Sequence, residues 1–190
     1  MSVPQIDIVL RRHPRPAHPN PYANFIASQL GWWACVLGGA SSWSMAGTAL
    51  VGIAIMRHIL FAARPRQEIK LILATTLIGA IYDTALIQCG WIEFDHGVFI
   101  AGFAPHWMLA LWALFATTFN ISLAWLKNKL LLATLLGASV GPLSYWGGVR
   151  LGAARVIEPV PLYIALALGW AAVIPALMLL ARRYDGYAPR

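Results

Sequence analysis

An aspartate within a long apolar run is the residue with the clearest chemical potential. Asp83 stands in the segment Ala80-Ile81-Tyr82-Asp83-Thr84-Ala85. A carboxylate at the middle of a membrane costs at least about 2.5–3.5 kcal/mol on insertion scales, so it normally faces protein or water. Two roles are open for Asp83: a functional group in a cavity, or a protonated or hydrogen-bonded group that joins two helices.

Four further polar residues complete a candidate site with Asp83: Asn120, Ser144, Tyr145 and Arg150. Asn120 fits an interhelical hydrogen bond, which contributes roughly 0.6–2 kcal/mol. Tyr145 fits the wall of a cavity, on a helix that Pro142 kinks. Arg150 fits either an ion pair with Asp83 or an extended position toward the headgroups. We expect the partner of Asp83 to be Arg150 or Tyr145.

Small residues recur at helical spacing beside these polar groups. Gly79 lies one turn before Asp83, and steps of three and four place the small residues Gly141, Ser144, Gly148 and Gly152 on one stripe. Such stripes let helices approach closely, and Gly148 with Gly152 forms a GxxxG pair. We therefore predict helix-packing roles for Gly79, Gly141, Gly148 and Gly152.

The sequence holds no HExxH, histidine-box, CxxC or CxxCH motif, no phosphate loop and no dinucleotide fingerprint. We predict no metal site and no cofactor. Cys35 and Cys89 are expected to be buried free thiols, although they could approach each other. No complete catalytic set is present, so the residues leave open whether the protein is an enzyme.

Composition decides which elements position these residues. Hydrophobic residues make up 59% of the 190 and charged residues only 11%, against about 25% charged in a soluble domain. A helix crosses the membrane with about 20 apolar residues. The sequence predicts an all-α bundle of six membrane spans in a domain over 23–182. Their approximate ranges are 24–41, 43–62, 69–91, 106–126, 130–153 and 161–181.

The basic residues predict the orientation of this bundle. With both termini in the cytoplasm, 12 of the 14 lysines and arginines fall on the inner side, and only Arg150 and Arg155 fall outside. This distribution follows the positive-inside rule. The net charge of +7 therefore indicates topology and anionic lipid headgroups, not nucleic acid. We predict a multi-pass protein of the bacterial inner membrane.

Two terminal segments flank the predicted spans. Residues 1–22 form a basic, proline-rich arm that we expect in the cytoplasm, and residues 183–190 form a short cytoplasmic tail. The arm and the glycine-rich helix faces are the predicted contacts with other membrane subunits. Membrane lipids are the other predicted partners.

Four sequence blocks carry a family resemblance: Gly31–Gly38, Tyr82–Thr84, Pro105–Leu126 and Gly141–Ala153. They resemble the bacterial membrane family catalogued as domain of unknown function 2878, over about residues 24–180. The resemblance implies a small polytopic inner-membrane protein of proteobacteria without an established activity. Through the fatty-acid-modifying genes that accompany such proteins, it also suggests membrane-lipid metabolism. His106 stands where the family is more often apolar, so we do not assign it a catalytic role.

Three functions fit these observations. The first is lipid handling, in which the protein binds a membrane acyl lipid, or assists its modification, in a cavity near the outer leaflet. The second is a structural or accessory subunit of a larger membrane complex. The third is a small transporter coupled to protons or ions through Asp83. The absence of an inverted repeat weakens the third.

The charge asymmetry yields a direct test of topology. Alkaline phosphatase fused after Asp95 is expected to be active, because this loop lies outside, whereas a fusion after Arg190 is expected to be inactive. The reverse activities would contradict the predicted orientation, and two equal activities would contradict the three spans predicted between the two fusion points.

Overall fold

The computed structural model describes residues 19–188, so the predicted arm lies outside the described residues up to position 18. Six α-helices and two short strands make up this part of the chain. The helices are α1 (Pro21–Gly39), α2 (Ser44–Phe61), α3 (Pro65–Gln88), α4 (His106–Ala116), α5 (Leu130–Arg150) and α6 (Pro159–Arg183). The strands are β1 (Ile92–Glu93) and β2 (Arg155–Val156), and a short 3₁₀ turn covers Ala124–Leu126. The predicted all-α bundle is confirmed.

Four of these helices, α2, α3, α5 and α6, are long and apolar enough to cross a membrane. Among residues 19–188, α4 is apolar but has only 11 residues, about 16 Å of helix, against a hydrocarbon thickness of about 30 Å. The chain therefore has the helices of a membrane protein. The count of six spans and their orientation stay predictions.

The short helix α4 lies at the centre of the bundle. It packs against α1, α2 and α3, while α1 pairs with α2 and α5 pairs with α6. Trp107, Met108, Trp112, Leu114 and Ala116 on α4 are all buried. Because most of its faces contact other helices, α4 can present side chains to several partners at once.

The prediction of one helix over 106–126 is wrong in its second half. Helix α4 ends at Ala116, and a series of turns leads to the 3₁₀ turn. Thr117 Oγ1 and Thr118 Oγ1 each donate to the carbonyl oxygen three residues earlier, both at 2.6 Å. Hydroxyl groups that bond the local backbone compete with helical hydrogen bonds. Asn120 consequently lies in a turn, not in a helix.

Helices α3 and α5 end in the same way, at what we call the sheet end of the bundle, defined by β1 and β2. After α5, Gly152 has φ +84°, and the N–H of Ala153 donates to the Gly148 carbonyl at 2.9 Å. This Schellman geometry favours glycine. Gly90 after α3 has φ +72° and a matching bond from Trp91 to Leu86. The strands that follow pair antiparallel, with Glu93 opposite Arg155.

The opposite end of the bundle, which we call the tail end, holds the start of α1, residues 117–129 and the C-terminal segment 184–188. Asn24 Nδ2 donates to the Thr117 carbonyl at 3.3 Å, and Asn120 Nδ2 donates to the Tyr184 carbonyl at 3.0 Å. Both ends of the described chain therefore lie at the same end of the bundle.

Candidate functional site

One buried carboxylate connects three helices. Asp83 on α3 is 0% exposed. One of its oxygens accepts a hydrogen bond from Trp112 Nε1 of α4 at 2.8 Å, and the other accepts from the Tyr145 hydroxyl of α5. A buried carboxylate is tolerated when donors surround it. Of the two partners predicted for Asp83, Tyr145 is the one that the structure places there.

Two glycines make room for the indole rings around this carboxylate. The ring of Trp112 occupies the space that a Cβ at Gly79 would need, and the ring of Trp170 does the same at Gly141. The two rings pack against each other, with their centroids 5.1 Å apart. Gly79 and Gly141 thus have the predicted packing role, but each receives an aromatic side chain from another helix.

A cavity of about 440 Å³ borders this cluster. Its walls come from α1, α4, α5 and α6, and include Trp112, Ser144, Tyr145 and Trp170. Asp83 lies behind the wall: it holds Trp112 and Tyr145 in place without lining the cavity. The volume falls within the roughly 300–1,000 Å³ typical of small-molecule sites.

The cavity is closed at the sheet end and open on one side of the bundle. Phe94 and Trp107 close the end, with ring centroids 5.6 Å apart. On the side, helix α1 packs against α2 and α4, whereas α5 packs against α6. Trp32 Nε1 of α1 donates to Ser144 Oγ of α5 at 3.1 Å across the space between them. The exposed residues at this opening are Gln29, Trp33, Val140 and Leu143.

Two predicted site residues lie away from this cavity. Arg150 is exposed, and its guanidinium stands 5.5 Å from the ring centroid of Trp146. It follows Tyr145 by five positions, about 140° around the helix at 100° per residue, so it faces a different direction. Asn120 is at the tail end. Ser144, Tyr145 and Asp83 are therefore the predicted residues that the structure brings together.

The predicted packing roles of Gly148 and Gly152 need correction. Gly148 lines the cavity, and apart from its chain neighbours and the backbone of its own helix no atom lies within 4 Å of the position that its Cβ would take. Gly152 lies beyond α5 and ends it through its positive φ, as described above. The GxxxG spacing permits close packing, but no helix approaches at Gly148. The pattern instead leaves part of the cavity open.

A second polar cluster, at the tail end, was not predicted. Glu68 on α3 is 0% exposed. Its carboxylate accepts from Asn120 Nδ2 at 2.5 Å and from the backbone N–H of Gly186 at 2.8 Å, and His58 Nε2 lies 2.7 Å from its other oxygen. The signal in the sequence was one acid within the otherwise basic stretch 57–70, which covers the end of α2 and the start of α3. This cluster fixes the C-terminal segment to the bundle.

The C-terminal segment is held by further polar contacts outside the predicted spans. Asp185 forms an ion pair of 2.7 Å with Lys127. Burial alone would raise the pKa of the Asp185 carboxyl, but hydrogen bonds from Lys127 and from the N–H groups of Tyr187 and Ala188 lower it below the usual value. Burial, with a contribution from Glu68, raises the pKa of the Tyr187 hydroxyl. Tyr187 therefore stays protonated and donates to the His58 carbonyl at 2.6 Å.

The potential metal ligands of the described residues are dispersed, and the two thiols are unpaired. Within residues 19–188, no three His, Cys, Asp or Glu side chains lie close enough together to hold a metal ion. Cys35 is buried and Cys89 is exposed, and both thiols are free. The burial predicted for both cysteines holds for Cys35 alone.

Substitution of Asp83 separates a hydrogen-bonding role from a charged one. In Asp83→Asn the amide oxygen can still accept from Trp112, and the amide N–H can donate to the Tyr145 oxygen. We expect the free energy of unfolding in detergent to change by less than about 1 kcal/mol. Asp83→Leu leaves both donors without an acceptor and is expected to cost at least about 2 kcal/mol.

The matched control for Asp83→Leu is Thr76→Val on the same helix, because the Thr76 hydroxyl bonds only its own helix, at the Ile72 carbonyl. It should have little effect. An Asn variant as unstable as the Leu variant would contradict a hydrogen-bonding role for Asp83.

Comparison with known proteins identifies the family of the chain. Neither the curated proteins nor the solved structures gave a match. A family model described as "Protein of unknown function (DUF2878)" matches residues 21–176, which include α1 to α5, both strands and most of α6. The chain belongs to this family, as the sequence blocks indicated.

Proposed function

We propose that the protein binds the apolar chain of a membrane lipid in the cavity between α1 and α5. The observation that carries this proposal is the side opening of the 440 Å³ cavity. Three of the four exposed residues at this opening, Trp33, Val140 and Leu143, have large apolar side chains that suit contact with hydrocarbon, and the fourth is the uncharged Gln29. A ligand that enters from this side comes from the bilayer.

The chemistry of the wall favours an uncharged ligand segment. The described residues that line the cavity include no lysine, arginine, histidine, aspartate or glutamate. A charged headgroup inside it would lack a counter-ion and would pay its full desolvation cost. Leu111, Leu114, Phe115 and Trp170 instead offer apolar surface. The ligand's headgroup is therefore expected to stay outside, at the bilayer surface.

One polar group on the wall can orient the bound chain. The Ser144 oxygen accepts from Trp32, so its own proton is available for an oxygen of the ligand, such as an ester carbonyl or a hydroxyl. Both oxygens of Asp83 already accept hydrogen bonds, which favours a positioning role for this residue over a proton relay. The cavity thus supports lipid handling better than ion-coupled transport.

The proposal also covers the membrane in which the protein lies and its orientation there. Exposed basic residues gather at the tail end and include Arg57, Arg66, Lys70, Lys129 and Arg183. This concentration favours a cytoplasmic location for the tail end in a bacterial inner membrane. The sheet end, with the closed end of the cavity, then lies toward the outer leaflet.

Filling the cavity tests the proposal. Gly148→Phe should place a ring in the open space beside Gly148 and prevent a lipid from binding. Native mass spectrometry of protein extracted in mild detergent is expected to show one retained lipid on the unmodified chain and none on this variant.

Gly52→Phe is the matched control, because Gly52 is also an uncrowded helical glycine but lies on the exposed surface of α2. It should retain the lipid. Equal retention by Gly148→Phe and Gly52→Phe, or no retained lipid on the unmodified chain, would contradict the proposal.

A further inference from the structure

An exposed apolar segment connects the sheet end to α4. Residues 97–104, which we call the apolar loop, read Gly-Val-Phe-Ile-Ala-Gly-Phe-Ala and contain no charged side chain. Phe99 is 76% exposed, Ile100 63% and Phe103 52%. Three large apolar side chains on one short loop would be unfavourable in water, because a soluble surface rarely exposes a contiguous apolar patch of this kind.

Hydrogen bonds hold this loop against the side of the bundle. Gln88 Nε2 on the last turn of α3 donates to the Gly102 carbonyl at 2.7 Å, and the Ala104 N–H donates to Thr84 Oγ1 at 3.2 Å. Thr84 precedes the end of α3 by four residues, about 6 Å along the helix. The loop therefore runs alongside the last turns of α3, next to the apolar part of that helix.

The first residue of α4, His106, links the loop to α2. The ring of Phe99 stacks on that of His106, with centroids 4.8 Å apart, and His106 Nδ1 lies 2.8 Å from Thr48 Oγ1 of α2. The structure thus seats the loop against the last turns of α3 and joins it to the first turns of α2 through His106. Its exposed side chains continue the apolar surface of α2 and α3 that we expect to face lipid.

The backbone of the loop satisfies several of its own polar groups. The N–H of Phe103 donates to the Ile100 carbonyl at 3.1 Å, and the N–H of His106 donates to the Gly97 carbonyl at 2.9 Å. Gly97 and Gly102 both have φ +80°, which permits these tight turns. Irregular backbone near hydrocarbon requires such internal partners.

We infer that the apolar loop inserts Phe99, Ile100 and Phe103 into the adjoining leaflet and that its partner is the acyl region of the bilayer. The charged residues next to it, Asp95 and Arg155, stay at the aqueous surface, where they form an ion pair of 3.0 Å. This inference rests on the membrane location of the chain and is independent of what occupies the cavity.

Spin labels report the depth of the loop directly. In a Cys89→Ser background, in which only the buried Cys35 remains, a nitroxide is attached at Ile100→Cys in lipid nanodiscs, whose two faces are both accessible. We expect the label to collide severalfold more often with oxygen, which partitions into hydrocarbon, than with a water-soluble nickel chelate. Glu158→Cys, an exposed charged position at the same end, is the matched control and should show the opposite preference.

Two results would overturn the inference. A label at position 100 that collides mainly with the nickel chelate would place the loop in water. A label shielded from both reagents would place it against protein, such as a second copy of the chain. Labelling of both variants after denaturation confirms that each cysteine reacts.

Discussion

A carboxylate in an apolar interior must find hydrogen-bond donors, and this requirement organises the centre of the molecule. Asp83 is fully buried and accepts from Trp112 and Tyr145, which belong to two other helices. If either donor were removed, the carboxylate would lose a partner, at a cost of about 1–3 kcal/mol or more for a charged group. The positions of α3, α4 and α5 relative to one another are therefore tied to this one side chain.

The cavity follows from the same arrangement. Trp112 and Tyr145 both donate hydrogen bonds to Asp83. Trp170 packs on Trp112 in the space left by Gly141. These side chains form one wall, while α1 lies opposite and reaches α5 through the bond from Trp32 to Ser144. The bundle thus keeps an internal space instead of collapsing, and the proposed lipid site uses it.

Local features of the sequence predicted part of this structure. The apolar composition and the prolines and glycines at helix ends predicted the all-α bundle, and one acid in an apolar run identified Asp83. Long-range geometry was harder to predict. The direction in which Arg150 points depends on the rotation of α5, and the bonds of Asn120 depend on Glu68 and on the tail, which are distant in the chain. Glycine spacing at Gly148 indicated room for a neighbour but not whether a helix or a cavity would occupy it.

The central claim is that the Tyr145 hydroxyl and the Asp83 carboxylate stabilise the bundle as a pair. Measuring the unfolding free energy of Tyr145→Phe in two backgrounds tests this most directly. In the natural chain, loss of the hydroxyl removes a partner from a buried carboxylate and should destabilise the protein. In the Asp83→Leu background, Tyr145→Phe removes a hydroxyl that has already lost its acceptor. There the substitution should be neutral or stabilising. The same loss of stability in both backgrounds would contradict the account.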